Sequence, residues 1–324
     1  MKKVTLFIDY GGSEMLHPEV VPAFVAMMNA LSTEHQFTLT ITQPKDSAAQ
    51  KQAALADMKN QDVVLFANCG EYAFPNKSDQ AIIQIYFANG GKAIGYHETI
   101  HNYPYSGYWP WWTDSLHDGS YFVSNGHGTF SLDMDPEVSN VPALKNMWEE
   151  NSLGTANISA YTEIWGLNKY PRGKPGVTIM QTVMPTSALD SESVHEFTWL
   201  KKWPSGGGEY IYTCLGHGSN DFVGDWLKKA TWAWMQYLNG KYDAVPVLGR
   251  PKLDGDVITF SANHLDVSYA KSYSVKVMNL NGAVILFKNG QGNRSYDLSG
   301  LQPGFYFVRV SGPSNARIKR ILIK

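Results

Sequence analysis

Residues 90–101 read Gly-Gly-Lys-Ala-Ile-Gly-Tyr-His-Glu-Thr-Ile-His. Gly90-Gly91 stops a helical pattern, residues 92–96 make a short apolar strand, and the strand ends on His97, Glu98 and His101. An aromatic, glycine-punctuated loop follows: Tyr103, Tyr105, Tyr108, Trp109, Trp111 and Trp112, then His117 and Asp118. In open α/β sheets ligands collect at the carboxyl ends of strands, so titratable groups placed there mark a candidate site.

Before this stretch, strand and helix alternate. Residues 4–8 and 63–67 read as buried strands and 37–42 as an alternating one. Apolar residues recur at helical spacing from 18 to 31, a second helix follows the N-cap candidates Asp46 and Ser47, and a third covers 78–89. Continuous apolar runs in the strands predict a mostly parallel sheet with helices on both faces. Beyond the aromatic loop the pattern is irregular to about residue 172, with short strands expected at 129–134 and 158–165. Strands follow at 177–183, 195–201 and 209–215, the last ending on Gly216-His217-Gly218, and a helix is expected over 221–238 with Asp221 as its cap. Residues 1–241 thus form one α/β domain and 242–251 a linker. Residues 252–324 hold only short alternating strands and turns such as Asn281-Gly282 and Asn289-Gly290, an all-β sandwich.

A net charge of −2 and no run of Lys or Arg argue against a nucleic-acid partner. Cys69 and Cys214 lie in or just after apolar runs and read as buried, inert thiols. No stretch approaches the ~18 continuous apolar residues needed to span a bilayer. Met1-Lys2-Lys3 has the charged start of a signal peptide, but the apolar run after it ends at Asp9.

In a parallel sheet His97 and His217 both cap strand ends and converge on one crevice. His97 and His101 are four apart, on one face if that segment is helical. Imidazoles with a carboxylate suit a zinc-type site with an open position, or metal-free acid–base work. The rings from Tyr103 to Trp112 are candidates to stack on sugar faces, or to pack on the domain itself. Gly11-Gly12-Ser13 lacks phosphate-loop spacing and reads as a turn, and His35 and His264 read as structural. His127 and Asp133 are supporting candidates.

Two resemblances follow. Residues 86–97, Tyr161-Thr-Glu-Ile-Trp165, His195-Glu-Phe-Thr-Trp199 and residues 206–217, in that order, resemble the ThuA-like (trehalose-utilisation) family. That family has the class I glutamine-amidotransferase-like, flavodoxin-like fold. The resemblance implies a link to disaccharide or oxidised-sugar metabolism. Position and resemblance together make His97, His217 and Glu163 catalytic candidates, and the residues themselves add Glu98, with His97, His101 and His217 as candidate metal ligands. Substrate contacts are expected of Tyr103, Tyr108, Trp109, Trp111, Trp112, Trp165 and His195. Glu98 and Glu196 depart from the family's usual Ala and Pro. The related amidotransferases carry a Cys nucleophile at a sharp strand-to-helix turn. His97 takes that position and neither cysteine does, so thioester chemistry has no nucleophile. Residues 275–282 and 296–310, with the basic end Lys319-Arg320…Lys324, resemble a type IX secretion system sorting domain. This implies export, a secretion-machinery partner and a signal peptide outside this sequence. The reading is thus a secreted or cell-surface protein that acts on a carbohydrate or, in the alternative, binds one without catalysis.

Overall fold

The computed structural model describes residues 1–8, 19–70, 73–101, 108–154, 156–183, 195–203, 207–242, 257–261, 263–268, 272–279, 283–312 and 316–323, with backbone alone at 156–161, 257, 258, 316–318 and 320. The chain divides into two compact units, Met1–Pro246 and Val247–Lys324.

The first unit begins with three strand–helix pairs: β1 (Lys3–Ile8), α1 (Val20–His35), β2 (Thr38–Thr42), α2 (Ala48–Ala56), β3 (Val63–Ala67) and α3 (Lys77–Ala88). Ser47 caps α2 through a full capping box with Gln50. β4 (Lys92–Tyr96) follows. Every residue of β3 is fully buried, as expected for a strand covered on both faces. Right-handed crossovers place α2 and α3, which pack together, on one face of the sheet. α1 lies on the other, against α6 described below.

From β4 onward the chain adds a half whose first part, to about residue 172, the sequence pattern left irregular. β5 (Phe122–Met134), the short α4 (Pro136–Ser139), α5 (Pro142–Glu150), β6 (Ala156–Leu167), β7 (Val177–Val183) and β8 (His195–Lys202) lead back to β9 (Glu209–Thr213) and α6 (Trp226–Leu238). The sheet order is β2-β1-β3-β4-β9-β8-β7-β5-β6. Strands β2, β1, β3, β4 and β9 run parallel, and β8, β7, β5 and β6 extend that core as an antiparallel half.

β5 and β6 are much longer than the expected 129–134 and 158–165. β5 pairs with β7 only over Leu132–Met134, while its pairing with β6 runs from Phe122 to Leu132. Most of the β5–β6 pair is therefore a two-stranded ribbon free of the rest of the sheet. The last helix also begins later than expected, at Trp226. A 3-10 turn (Ser219–Phe222) comes first, and Gly224, at φ +77°, breaks the path between them. Asp221 does not cap a helix; its carboxylate serves the turn before it.

The second unit is a sandwich of antiparallel strands: β10 (Val257–Ser261), β11 (His264–Ser268), β12 (Ser272–Met278), β13 (Val284–Gln291), β14 (Arg294–Asp297), β15 (Gly304–Ser311) and β16 (Ala316–Ile323). One sheet is β10-β11-β14 and the other β13-β12-β15-β16. Leu265, Val267, Val275, Val277, Val308, Val310, Ile321 and Ile323 form its own core.

Candidate active site at the strand ends

Three neighbouring strands of the parallel core, β3, β4 and β9, each end in a turn with a left-handed residue: Asn68 (φ +52°), His97 (φ +46°) and Gly216 (φ +115°). Glycine takes such angles freely and asparagine does so more readily than most, but a left-handed histidine costs on the order of 1–2 kcal/mol. That strain marks the turn after β4 as one held in place by its surroundings. The Asn68 side chain supplies part of the hold. Its amide donates to the Gly216 carbonyl (3.2 Å) and its oxygen accepts from the Glu98 N–H (3.3 Å), joining the two histidine-bearing turns. Asp221 fixes the second turn by accepting from the Gly216 and His217 N–H groups (2.8 and 2.9 Å).

The His97 ring is fully buried. Its Nδ1 lies 3.0 Å from the Cys214 carbonyl oxygen, which can only accept, so Nδ1 carries the proton and Nε2 faces Glu163 Oε2 at 3.1 Å. Tyr212 donates to the His97 carbonyl (2.9 Å). Glu163 comes from the β5–β6 ribbon, where it stands opposite His127, and Asn125 stands opposite Trp165. Period-two alternation puts all four on one face of the ribbon, laid over the strand ends. Trp165 Nε1 donates to Glu163 Oε2 (2.6 Å) and Asn125 Nδ2 to Oε1. His217 Nδ1 and His127 Nε2 each lie 3.5 Å from the same carboxylate. One carboxylate thus faces three imidazoles.

Electrostatics follow from this packing. Burial opposes charge on both His97 and Glu163, but the contacts overcome it. The Cys214 side chain and Glu163 push His97 up to about 10, while His97, Trp165 and Asn125 draw Glu163 down to about 2. Glu98, buried beside them, is pushed up to about 7, chiefly by desolvation; Glu163 and Glu19 add to the rise and His97 opposes it.

His97, Glu163 and His217 present ligand atoms all within 4.8 Å of one another and could together hold a metal ion. The fit is supported by the His97 tautomer: a second-shell acceptor on one ring nitrogen, leaving the other aimed inward, is how metal-ligating histidines are usually oriented. Two imidazoles and a carboxylate are a zinc-type donor set.

Other expectations fare differently. His101 is not in the metal-competent group. The segment after β4 is a single 3-10 turn, His97–Ile100, so spacing of four does not stack the two rings, and His101 packs edge-on against Phe122 and Trp165. His195 is buried on β8 and hydrogen-bonds the Tyr170 hydroxyl. Glu196 binds Arg172, which also pairs with Asp135 and Glu137 (2.7 Å each), a clasp across the antiparallel half.

At the described end of the aromatic loop Trp109 and Trp112 belong to the core, while Tyr108 and Trp111 are half-buried. Trp112 is fully buried, donates to the Thr99 carbonyl (2.8 Å) and packs on Phe66 and Trp109; Trp109 is 2 % exposed. Trp111 packs on Phe87 of α3, and Lys77 of the same helix donates to the Tyr108 carbonyl. Tyr103 and Tyr105, like Gly11-Gly12-Ser13, lie outside the described residues. Trp165 is the aromatic that does reach the site, 4.4 Å from the His97 ring and 4.7 Å from Phe122 between ring centres. A cleft of about 500 Å³ lined by Lys59, Asp62, Tyr86 and Lys92 lies at the opposite end of the strands.

The parallel core, the antiparallel extension and the sharp turn after β4 define a mixed-sheet α/β protein with histidine at that turn. The family model described as trehalose utilisation (ThuA) matches residues 5–238, and the chain belongs to that family. Residues 260–324 match the secretion system C-terminal sorting domain, which marks a secreted or cell-surface protein handled by a secretion machinery. Among solved structures, a ThuA-like protein from Bacteroides uniformis ATCC 8492 is 19% identical with a TM-score of 0.58, covering 73% of this chain and 91% of that one. A ThuA-like protein from Parabacteroides merdae ATCC 43184 is 15% identical with a TM-score of 0.50, covering 72% and 90%. No curated protein matches the chain. No helix among the described residues is long and apolar enough to cross a membrane.

Proposed function

We propose that the first unit is an exported enzyme that acts on a carbohydrate, an oligosaccharide or modified sugar, with a divalent metal of the zinc type held by His97, Glu163 and His217. The observation that carries this reading is the buried Glu163 carboxylate facing His97 and His217 at ligand-like spacing. With Nδ1–H committed to Cys214, the short His97–Glu163 contact requires either a second proton or a cation between them. Proton transfer works best from groups that titrate near the working pH. An imidazole raised to about 10 and a carboxylate lowered to about 2 are each far from neutral, a poor acid and a poor base. A metal would take the place of the second proton on His97, since a ligating imidazole must be neutral.

A bound metal would polarise a substrate oxygen or lower the pKa of a coordinated water. The chain's own residues supply the rest. Asn125 and Trp165 orient Glu163, Cys214 fixes the His97 tautomer, and Asp221 and Asn68 set the two turns. Glu98, held near 7, is the carboxyl best placed in pKa to give or take a proton at neutral pH. Trp165 and Phe122 offer apolar rings beside the group for a sugar face, and the family's name supports a sugar substrate.

Elemental analysis of the purified protein, repeated for His97→Ala and His217→Ala, tests the metal. Stoichiometric metal lost in both variants supports the reading. A wild type that takes up none after incubation with zinc rejects it, leaving the second reading, His/Glu chemistry without metal, for which the preformed His97–Glu163 pair speaks. A non-catalytic carbohydrate binder is the remaining alternative. Glycan-array binding without turnover of any bound sugar would establish it.

A further inference from the structure

The outward face of the sheet β13-β12-β15-β16 departs from what a solvated sheet presents. Antiparallel sheets that cover a core on one side ordinarily show polar residues on the other. Here the inner face carries Val275, Val277, Val308 and Val310. Register puts Lys276 opposite Phe287 and Arg309 on the outer face, and Met278 opposite Val284 and Phe307. Val284, Ile285 and Phe287 are about half exposed, and Leu322 on β16 is 41% exposed. Together with Phe305 these make up most of the large apolar side chains that the described residues expose. The four strands contain no Asp or Glu, and of their six Lys or Arg the register puts Lys276 and Arg309 on this face and Lys288 and Lys319 on the other. Residues 247–324 hold eleven Lys and Arg against four Asp and no Glu, which leaves sixteen against twenty-five for residues 1–246.

We infer that this face is a docking surface for an acidic protein partner on the export route. Aromatic side chains, Met and Arg are the residues enriched where protein surfaces meet, and an acid-free basic sheet attracts and orients a partner of opposite charge. The interleaving of charge and ring selects protein over lipid. An element that lies on a membrane separates its apolar side from its cations. In this sheet Lys276 lies 5.6 Å from the Phe287 ring centre and Arg309 stands in the same row, so burying the rings buries the cations with them. A protein can place carboxylates opposite those positions, and acyl chains cannot. The inference is independent of the chemistry at His97.

The test uses the full chain in cells carrying the matching secretion system. The charge reversal Lys276→Glu with Arg309→Glu should lower the amount of protein outside the cell about tenfold or more, as expected when central interface groups are lost. Asp266→Lys on the other sheet should leave export unchanged. All three positions are outward-facing, so the melting temperature should not move; Phe287→Ser, which leaves the charges alone, is the second variant and should also impair export. A photocrosslinker at position 287 should yield an adduct with a protein whose contacting segment is acidic. Undiminished export of either variant, or an adduct with lipid or with a segment lacking acidic residues, overturns the inference.

Discussion

Asn68 is the residue on which the geometry of the site turns. It is fully buried, adopts a left-handed backbone and bonds to both histidine-bearing turns. Asn68→Ala removes two hydrogen bonds from buried backbone groups and places alanine at φ +52°. Each orphaned group costs about 1–3 kcal/mol, so we expect a loss of ~2–4 kcal/mol in urea unfolding. Zinc affinity should fall together with stability, because the same bonds set the spacing of His97 and His217.

The His97–Glu163 contact gives a pH signature in metal-free protein. Glu163 is held below its ordinary 4.5, so its contribution to stability is full above 4.5 and is lost as pH falls toward about 2. His97 is held above its ordinary 6.5, so its contribution is full below 6.5 and is lost as pH rises toward about 10. These are two views of one interaction, strongest between the two ordinary values. The stability difference between wild type and Glu163→Gln, from melts across pH 2–10, should be widest at pH 4.5–6.5 and shrink on both sides. A difference that does not vary with pH would reject the ion pair.

At the scale of elements, the β5–β6 ribbon and the loop before it divide the aromatic residues between two tasks. Trp112 is a buried pillar among Phe66, Phe74 and Trp109, and Trp112→Ala should cost about 3–5 kcal/mol as a large cavity opens in the core. Trp165 sits on the ribbon face with Glu163, and Trp165→Phe keeps a ring while deleting the indole donor to the carboxylate. We expect the second change to weaken zinc binding with a stability loss of only about 1 kcal/mol. Calorimetric zinc titration alongside denaturant melts separates the two effects. Gly95 belongs to the same layer. A Cβ there would lie 2.0 Å from the Tyr210 hydroxyl, which also meets His117 Nε2 at 3.1 Å, so the strand before His97 has no room for a side chain.

At the scale of the molecule, each unit has its own apolar core and the site draws on the first alone. Ending the chain at Pro246 should leave a folded first unit with unchanged metal content, read by its melting transition and elemental analysis. Loss of the fold on truncation would show that the second unit supports the first.

The strands and helices up to β4, the alternating strands of the second unit and His97 at a strand end were legible in order, because each depends on local periodicity. The family's motifs pointed to Glu163, His217 and Trp165. Of the antiparallel half, the strands at 177–183 and 195–201 were legible, but the full length of β5 and β6 and the pairing were not, because the pairing depends on contacts far apart in the chain. The same reason hid Asn68 and Asn125, which look like ordinary polar residues until the turns and the ribbon meet. The aromatic loop stayed open between two readings because a run of rings reads alike whether it faces a sugar or a core, and for Trp109 and Trp112 packing tells them apart. What the sequence by itself determined is the family, the parallel core and the residue at its sharpest turn. Only the tertiary structure decided which groups converge on Glu163, because a ribbon folded over the strand ends brings together residues that no local spacing relates.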